Sequence, residues 1–386
     1  MRVDTKGKEE CCGCTACESV CPHGAISMKA DSLGFLYPCI DDSKCVDCGL
    51  CVKVCQFGKE YSREEKWAEP AVYAVRLKDE EQLCRSQSGG AFYALAVQML
   101  ERGGVVYGAC FAEHFRVVHK RVGTVAELEE LRGSKYVQSD LRGVFPRVKD
   151  DLRAGRKVLF SGTPCQVSGL QSYVGRRLRA GLYTVDLVCH GVPSPAVWAD
   201  YVDYVERKTG EKCESVKFRD KAFGWASHRE TFCFAKGRKL DRITFRILFY
   251  AHYMLRDSCH VCPYTNLKRC SDVTVGDFWG WTKISREFGD NKGVSLVLVN
   301  SDRGREMFDE AQSELYLIPS NATDCLQPQL QYPSGRHRKR VAFIRDYEKR
   351  GFEYVARRYG DLGVRYKLSV LKGKMVSALR RLKSKI

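Results

Sequence analysis

Beyond about residue 70, apolar residues follow two alternating spacings. Short apolar runs bounded by glycine or charge predict β-strands, and apolar residues three or four apart predict amphipathic helices. The predicted strands are residues 72–77, 105–111, 157–162, 183–191 and 294–301. The predicted helices are residues 89–104, 124–133, 193–210 and 303–312. This alternation is typical of an α/β domain.

Several unusual residues directly follow predicted strands. Cys165 comes after the apolar run KVLFSG, Cys189 and His190 come after YTVDLV, and residues 276–279 come after DVTV. Ligands of α/β sheets bind beyond the carboxyl ends of the strands. We therefore expect these residues to converge on one site.

The first sixty residues carry two matched cysteine runs, CCGCTACESVCP and CVDCGLCVKVC. Both have the C-x2-C-x2-C-x3-C spacing of bacterial two-cluster ferredoxins, in which the fourth cysteine ligates the other cluster. Gln56 departs from the pattern, since the first run has Pro22 there. Eight cysteines without spaced histidines disfavour zinc. The predicted 4Fe–4S ligands are Cys11, Cys14, Cys17 and Cys55 for the first cluster, and Cys45, Cys48, Cys51 and Cys21 for the second.

Composition narrows the class of protein. Twenty cysteines without a signal-peptide pattern or a membrane-spanning apolar run indicate metal binding in a reducing, cytoplasmic compartment. The excess of 64 Lys and Arg over 47 Asp and Glu gives a formal charge of +17. Such a charge favours an anionic partner, but no nucleic-acid-binding motif is present, so we expect no nucleic-acid partner.

The cysteines outside the two runs leave alternatives open. Cys259 and Cys262 form half a metal site, which Cys165 and Cys189 could complete. A third 4Fe–4S cluster, a zinc site and a redox CxxC pair are all compatible with the spacing. Cys270 is an open third ligand or a bystander. We interpret the others as non-ligands or core residues, namely Cys12, Cys39, Cys84, Cys110, Cys213, Cys233 and Cys325.

Longer motifs resemble the family of coenzyme F420 hydrogenase/dehydrogenase beta subunits. They are SQSGGAFYAL, GGVVYGACF, GTPCQVSGL, VDLVCHGVPSP, FRDKAFGW and CHVCPYTNLKRCSDVTVGDFWG, between about residues 72 and 320. The resemblance implies a flavoprotein that carries FAD beside a third 4Fe–4S cluster and exchanges electrons with an acceptor such as a deazaflavin, coenzyme F420. It places the third cluster on Cys165, Cys189, Cys259 and Cys262.

With this resemblance, the predicted fold is an α+β ferredoxin-like cluster module, an α/β flavin-binding domain and a basic helical tail. The predicted domains are residues 1–60 for the ferredoxin module, 70–145 and 146–330 for the amino- and carboxyl-terminal beta-subunit domains, and 331–386 for the tail.

Flavin contacts follow from the resemblance and acquire a physical rationale from the sequence. Ser88, Gly89 and Gly90 open a helix whose free amides attract phosphate. Gly162, Thr163 and Pro164 lie between a strand end and Cys165, while Arg219 and Lys221 could meet the pyrophosphate. His190 is a proton-donor candidate or a structural neighbour of Cys189, and Trp225 and Trp279 either stack on a ring or fill the core. No G-x-G-x-x-G motif precedes a helix, so a Rossmann-type site is not expected.

The carboxyl end is strongly basic. It contains GRHRKR at residues 335–340 and an amphipathic final stretch, KLSVLKGKMVSALRRLKSKI. Such a helix could lie on an anionic membrane at the cytoplasmic face, dock on an acidic partner, or pack on its own domain.

The predicted function is that of an FAD/iron–sulfur oxidoreductase. Electrons would pass between the clusters, FAD and a two-electron acceptor, either a deazaflavin or an organic substrate. The expected partners are an electron-donor or electron-acceptor protein, or the deazaflavin itself. The alternatives are an electron-transfer subunit without a substrate of its own, a ferredoxin joined to a zinc-stabilised binding domain, and a reductase in polysaccharide synthesis.

Overall fold

The computed structural model describes residues 2–58, 66–283, 285, 288–364, 366 and 368. The strands of this part of the chain are β1 (Ile26–Ala30), β2 (Leu36–Ile40), β3 (Ala71–Leu77), β4 (Val105–Phe111), β5 (Val117–Val122), β6 (Val158–Gly162), β7 (Leu182–Leu187), β8 (Cys213–Lys217), β9 (Glu230–Phe234), β10 (Lys239–Arg242), β11 (Val273–Asp277), β12 (Ser295–Val299) and β13 (Leu315–Ser320).

The helices are α1 (Ala16–Val20), α2 (Leu50–Val54), α3 (Glu80–Arg85), α4 (Ala91–Glu101), α5 (Val144–Arg153), α6 (Pro164–Val174), α7 (Pro195–Thr209), α8 (Thr244–Tyr250), α9 (Asp302–Ala311), α10 (Ala322–Cys325) and α11 (Arg340–Tyr359). Helix α7 begins and ends as the sequence predicts. The Ser194 hydroxyl accepts from the Val197 amide, and Gly210 ends the helix with a left-handed backbone.

A mixed eight-stranded sheet forms the centre of the molecule, in the order β13-β3-β12-β11-β7-β6-β4-β5. Strands β4, β6, β7 and β11 are parallel neighbours, and antiparallel strands flank them on both sides. The two segments predicted as separate beta-subunit domains both contribute strands to this sheet. The parallel strands are almost completely buried, as expected for strands covered on both faces.

The ferredoxin module is small and packs against the central domain. Strands β1 and β2 form a hairpin, and the two short helices α1 and α2 contact each other and helix α6. Gly169 on α6 permits this approach, since a Cβ there would lie 2.7 Å from the Cys14 sulfur. The module is therefore seated on the helix that begins immediately before Cys165.

A second layer lies at one end of the sheet. Strands β10, β9 and β8 form a small antiparallel sheet, and its core includes buried side chains of α7, α8 and α11. Helix α11 packs on α7 through apolar residues such as Phe343, Phe352 and Val355. The final basic stretch, residues 367–386, lies outside the described residues except for Leu368. Within the described chain, no helix combines the length and apolar character needed to cross a membrane.

The structure corrects two expectations from the sequence. The helix predicted at 124–133 is only a 3-10 turn at Glu127–Leu131, in which the two buried residues Leu128 and Leu131 have the three-residue spacing of that helix. Cys84 does not fill the core, because it is exposed on α3. The strands predicted at 72–77, 105–111 and 157–162 are present as β3, β4 and β6.

Candidate functional site

The two ferredoxin cysteine runs have the same local geometry. Each run enters its helix through a residue with a left-handed backbone, Thr15 (φ 66°) before α1 and Gly49 (φ 73°) before α2. The fourth cysteine of each run, Cys21 or Cys55, is the C-cap of that helix. One helical turn thus separates it from the third cysteine, which allows it to point to the other set.

The first cysteine set, which comprises Cys11, Cys14, Cys17 and Cys55, lies against the central domain. The pKa of Cys17 is raised above its usual range by burial and by the neighbouring thiolates of Cys14, Cys11 and Cys55. The Lys6 ammonium lies 3.4 Å from the Cys55 sulfur, and the Arg256 guanidinium lies 3.5 Å from that of Cys11. The structure therefore brings together the four cysteines that the spacing assigns to the first cluster.

The second set lies at the outer side of the module. One cavity of about 370 Å³ is lined by all four of its cysteines: Cys21, Cys45, Cys48 and Cys51. Cys48 is exposed, as are the neighbouring Val46 and Leu50. This set is consequently accessible from solvent.

The third set combines distant parts of the chain. Cys165 begins α6, Cys189 follows β7, and Cys259 and Cys262 lie in and after a 3-10 turn, yet all four line one small cavity. Backbone amides donate to two of the sulfurs, Gly191 to Cys189 and Val192 to Cys259, each at 3.4 Å. Amide donors to sulfur are typical of iron–sulfur sites.

Two further observations concern the cysteine sets. Among the described residues, no three Cys, His or acidic side chains already converge as ligands of a single metal ion. Cys270 is buried outside the lining of the third cavity, and its thiol donates to the Pro164 carbonyl at 3.3 Å. This location is that of a bystander.

A cavity of about 330 Å³, much larger than that of the third cysteine set, adjoins this set; we call it the sheet-edge cavity. The carboxyl ends of β6 and β11 and the loop after β7 build one side of it, through Gly162, Gly276 and His190 respectively. The two cavities share the wall formed by Cys189, His190, Gly191 and Val192. A molecule in the sheet-edge cavity would therefore lie beside the third set.

Five of the predicted flavin-contact residues line the sheet-edge cavity: Ser88, Gly90, Gly162, Thr163 and Arg219. Pro164 lines the cysteine cavity instead. The Thr163 hydroxyl is 3.2 Å from the Cys165 sulfur, so the end of β6 lies between the two cavities.

Gly89 and Lys221 do not line either cavity. A Cβ on Gly89 would come within 2.2 Å of the Val75 carbonyl oxygen, so this glycine serves close packing against β3. The Lys221 ammonium donates to the carbonyls of Leu83 and Ser88, both at 2.7 Å, and thereby holds the segment before α4. Burial lowers the pKa of Lys221 to about 8.

Of the two tryptophans, one is buried in the core and the other lines the sheet-edge cavity. Trp225 is buried and donates through Nε1 to Asp277 at 2.8 Å. Trp279 stacks on it with ring centroids 4.7 Å apart, is half-exposed, and lines the sheet-edge cavity. Arg219 pairs with Asp277 and lies over the Trp279 ring. The cavity therefore has an aromatic and cationic wall.

His190 separates the third cysteine set from the sheet-edge cavity. Its Nε2 lies 2.7 Å from His252 Nε2, and its Nδ1 lies 2.8 Å from the side-chain amide nitrogen of Gln329. Burial, with a smaller contribution from His252, lowers the pKa of His190 to about 4. The ring is therefore neutral near pH 7, with both nitrogens engaged.

Sequence reasoning missed three residues of the sheet-edge cavity. Gln87 Nε2, Arg132 Nε and His119 Nδ1 are buried and have no hydrogen-bond partner among the described residues, although all three side chains line the cavity. Buried polar atoms are seldom unpaired in native structures. The cluster therefore fits a polar ligand. Three cationic side chains line the same cavity, namely Lys135, Arg132, which pairs with Glu129, and Arg219, which pairs with Asp277.

No local sequence pattern places Arg132 at this cavity. Arg132 follows the short turn at Glu127–Leu131, and its guanidinium donates to the Gln82 carbonyl at 2.6 Å and to the Ser86 hydroxyl at 2.9 Å. These are contacts between positions about fifty residues apart, so no local pattern predicts them.

A two-cluster cysteine module joined to a central sheet with a further cysteine set and a polar cavity defines an iron–sulfur redox protein. Residues 10–59 match the 4Fe-4S dicluster domain. Residues 72–145 match the N-terminal model of the coenzyme F420 hydrogenase/dehydrogenase beta subunit, and residues 155–324 match the C-terminal model. The chain belongs to this family of beta subunits and is an oxidoreductase component that transfers electrons.

Two relatives illustrate the similarity. One is an F(420)H(2) dehydrogenase subunit of Methanosarcina mazei, which is 19% identical over 317 residues, or 80% of this chain and 84% of the relative. The xenon-derivatised F420-reducing [NiFe] hydrogenase complex of Methanosarcina barkeri contains a chain with 18% identity and a TM-score of 0.46. That match covers 76% of this chain and 93% of the other.

Proposed function

We propose that this protein is an iron–sulfur flavoprotein that passes electrons between its ferredoxin clusters and an FAD bound in the sheet-edge cavity, through a third 4Fe–4S cluster. The observation that carries the proposal is the wall shared by that cavity and the third cysteine set, from Cys189 to Val192. A flavin in this cavity would supply the conversion between one-electron and two-electron transfer.

The order of the sites supports a linear electron route. The second cysteine set is open to solvent at Cys48, and the first set is seated against α6 beside Gly169. Cys165, of the third set, lies at the start of the same helix. We therefore place exchange with a protein partner at the second set and exchange with a small molecule at the sheet-edge cavity.

The residues of the cavity would bind and shield the flavin. Gly90 begins α4 with a left-handed backbone (φ 83°), and Thr163 caps α6, so both helices direct their amino-terminal ends towards the cavity lining. Such ends favour phosphate. Arg132 Nε and Gln87 Nε2 offer donors that are otherwise unpaired among the described residues. Trp279 offers an aromatic face at a half-exposed edge.

We propose that the small molecule that exchanges electrons at the sheet-edge cavity is a deazaflavin. The relative from Methanosarcina mazei is named for dehydrogenation of reduced F420, and its similarity spans 80% of this chain. An organic substrate, including one of polysaccharide synthesis, is the alternative for the same cavity. A subunit without a substrate of its own is the second alternative, and the exposed second cysteine set favours a protein partner in either case.

The test is anaerobic purification of the full chain, followed by iron and flavin quantification and a reduction assay. We expect about twelve irons per chain, from three four-iron clusters, and one FAD. Reduced deazaflavin, NADH and reduced ferredoxin are then offered separately as donors. Intact clusters without flavin would overturn the proposal. About eight irons with one zinc would replace the third cluster by a zinc site, and bound flavin without turnover by any donor would favour the non-catalytic subunit.

A further inference from the structure

The junction between the ferredoxin module and the central domain contains a buried arginine, Arg256. It is 1% exposed, and its Nε donates to the Cys11 carbonyl at 2.7 Å. One terminal nitrogen donates to the Leu36 carbonyl at 2.8 Å and approaches the Cys11 sulfur at 3.5 Å. The other donates to the Gln138 amide oxygen at 3.0 Å. Arg256 also lines the cavity of the third cysteine set.

The charge of Arg256 is compensated differently from that of the other deeply buried arginines. Four other arginines are similarly buried, and each has a carboxylate partner: Arg76 with Asp290, Arg219 with Asp277, Arg269 with Asp186 and Arg340 with Asp257. Among the described residues, Arg256 has none within ion-pair distance. A buried cation without an anion nearby is strongly unfavourable, because it has lost its hydration. The Cys11 sulfur lies 3.5 Å away and Cys259 lines the same cavity as Arg256, so the thiolates of bound clusters would supply the missing negative charge.

The same junction brings the first and third cysteine sets close together. The Cys12 thiol is 5% exposed; Cys12 directly follows Cys11 of the first set and lines the cavity of the third set. Gln56 donates to the Cys12 sulfur at 3.0 Å and to the Cys165 carbonyl at 2.5 Å, and its own carbonyl accepts from the Tyr264 hydroxyl. The residue that departs from the ferredoxin pattern thus ties the two sets together.

We propose that Arg256 is a charge-tuning and positioning residue of the electron route: its buried guanidinium raises the reduction potential of the first cluster relative to the second. The reduced cluster carries one more negative charge than the oxidised one, so a fixed cation nearby favours the reduced form. An electron that arrives on the second cluster is thereby drawn to the junction. The onward step from the first to the third cluster rests on the proposed function, whereas the tuning of the first cluster does not.

The experiment is a redox titration of the anaerobically purified full chain, monitored by electron paramagnetic resonance. The Arg256→Gln variant keeps a hydrogen-bonding side chain but removes the charge. We expect the ratio of reduced to oxidised first cluster at a fixed potential to fall about tenfold, a shift of about 59 mV for a one-electron couple. The potential of the second cluster stays unchanged. An unchanged first-cluster potential would overturn the proposal.

Further variants separate charge from shape. Arg256→Lys should retain most of the first-cluster potential, whereas a shift as large as that of Arg256→Gln would indicate a merely structural role and overturn the charge tuning. Gln138→Glu leaves Arg256 in place and gives it the carboxylate that the other buried arginines have. It should lower the first-cluster potential in the same direction, and it tests the idea even if Arg256→Gln does not fold.

A matched control is Arg76→Gln, which removes a buried arginine of β3 that pairs with Asp290 at 2.5 Å. It should lower thermal stability without moving either ferredoxin potential, and a comparable shift there would overturn a specific role for Arg256. Iron quantification of the wild-type protein distinguishes the two proposals. A count of about eight irons per chain would show that the third cluster is absent and would exclude the proposed electron route. The shift in the potential of the first cluster would still decide the role of Arg256.

Discussion

The side-chain amide of Gln87 offers a direct test of the sheet-edge cavity as a ligand site. Gln87 lies between α3 and α4 on the cavity wall, and its Nε2 is buried without a partner among the described residues. The Gln87→Met substitution preserves the approximate length of the side chain and removes the donor. The substitution should stabilise the flavin-depleted protein but weaken its binding of FAD.

The magnitude follows from the unpaired donor. A buried polar group without a hydrogen bond costs about 1–3 kcal/mol. In flavin-depleted protein, Gln87→Met removes this cost, so we expect the free energy of unfolding to rise by about 1 kcal/mol. In flavin-bound protein the same donor is satisfied by the ligand, so the variant should bind FAD about tenfold more weakly, which corresponds to about 1.4 kcal/mol.

The assay is a titration of FAD into flavin-depleted protein, followed by flavin fluorescence, with thermal unfolding measured on the same samples. The matched control is Gln98→Met on α4, because Gln98 donates to Glu101 at 3.5 Å and does not line the cavity. Unchanged FAD affinity and unchanged stability of Gln87→Met would refute the reasoning. A parallel loss of both would indicate that Gln87 only supports the fold.

Three further predictions concern the cysteine sets and a buried histidine. Cys259→Ser should reduce the iron content from about twelve to about eight per chain while both ferredoxin signals persist; full iron content would contradict its role as a ligand. Gly169→Ala would place a Cβ 2.7 Å from the Cys14 sulfur, and we expect a loss of about 1–3 kcal/mol with a disturbed first-cluster signal. The control is Gly335→Ala, because a Cβ at Gly335 would meet no atom within 4 Å. Equal effects of the two substitutions would refute the packing argument. Burial lowers the pKa of His119 from 6.5 to about 4, so the unfolded chain binds the extra proton and stability falls as the pH drops below about 6.5. His119→Gln should remove about 1.4 kcal/mol of the stability lost between about pH 8 and pH 5.5, and an equally steep profile of melting temperature against pH would count against this.

The ferredoxin module could be predicted from the sequence because its signal is local, and the positions of the strand-end residues followed from short apolar runs. The cysteine spacing alone indicated which residues form each of the first two sets, since all eight ligands lie within 45 residues of one another. Apolar runs located β6 and β7, and the general rule for α/β sheets placed Cys165 and Cys189 at the same edge. Those two strands are indeed parallel neighbours.

The tertiary structure alone decided what lies between these elements. Gly89 and Lys221 belonged to motifs that resemble a flavin site, yet they serve packing and loop attachment outside the cavity lining. Gln56, Arg132 and Arg256 acquired their contacts from partners about 50 to 250 residues away. Periodicity and spacing report only short stretches of chain, whereas buried charge is balanced by whichever groups the fold brings near it. The sequence therefore determined the cysteine sets, and the packing of the module on α6 determined how they are joined.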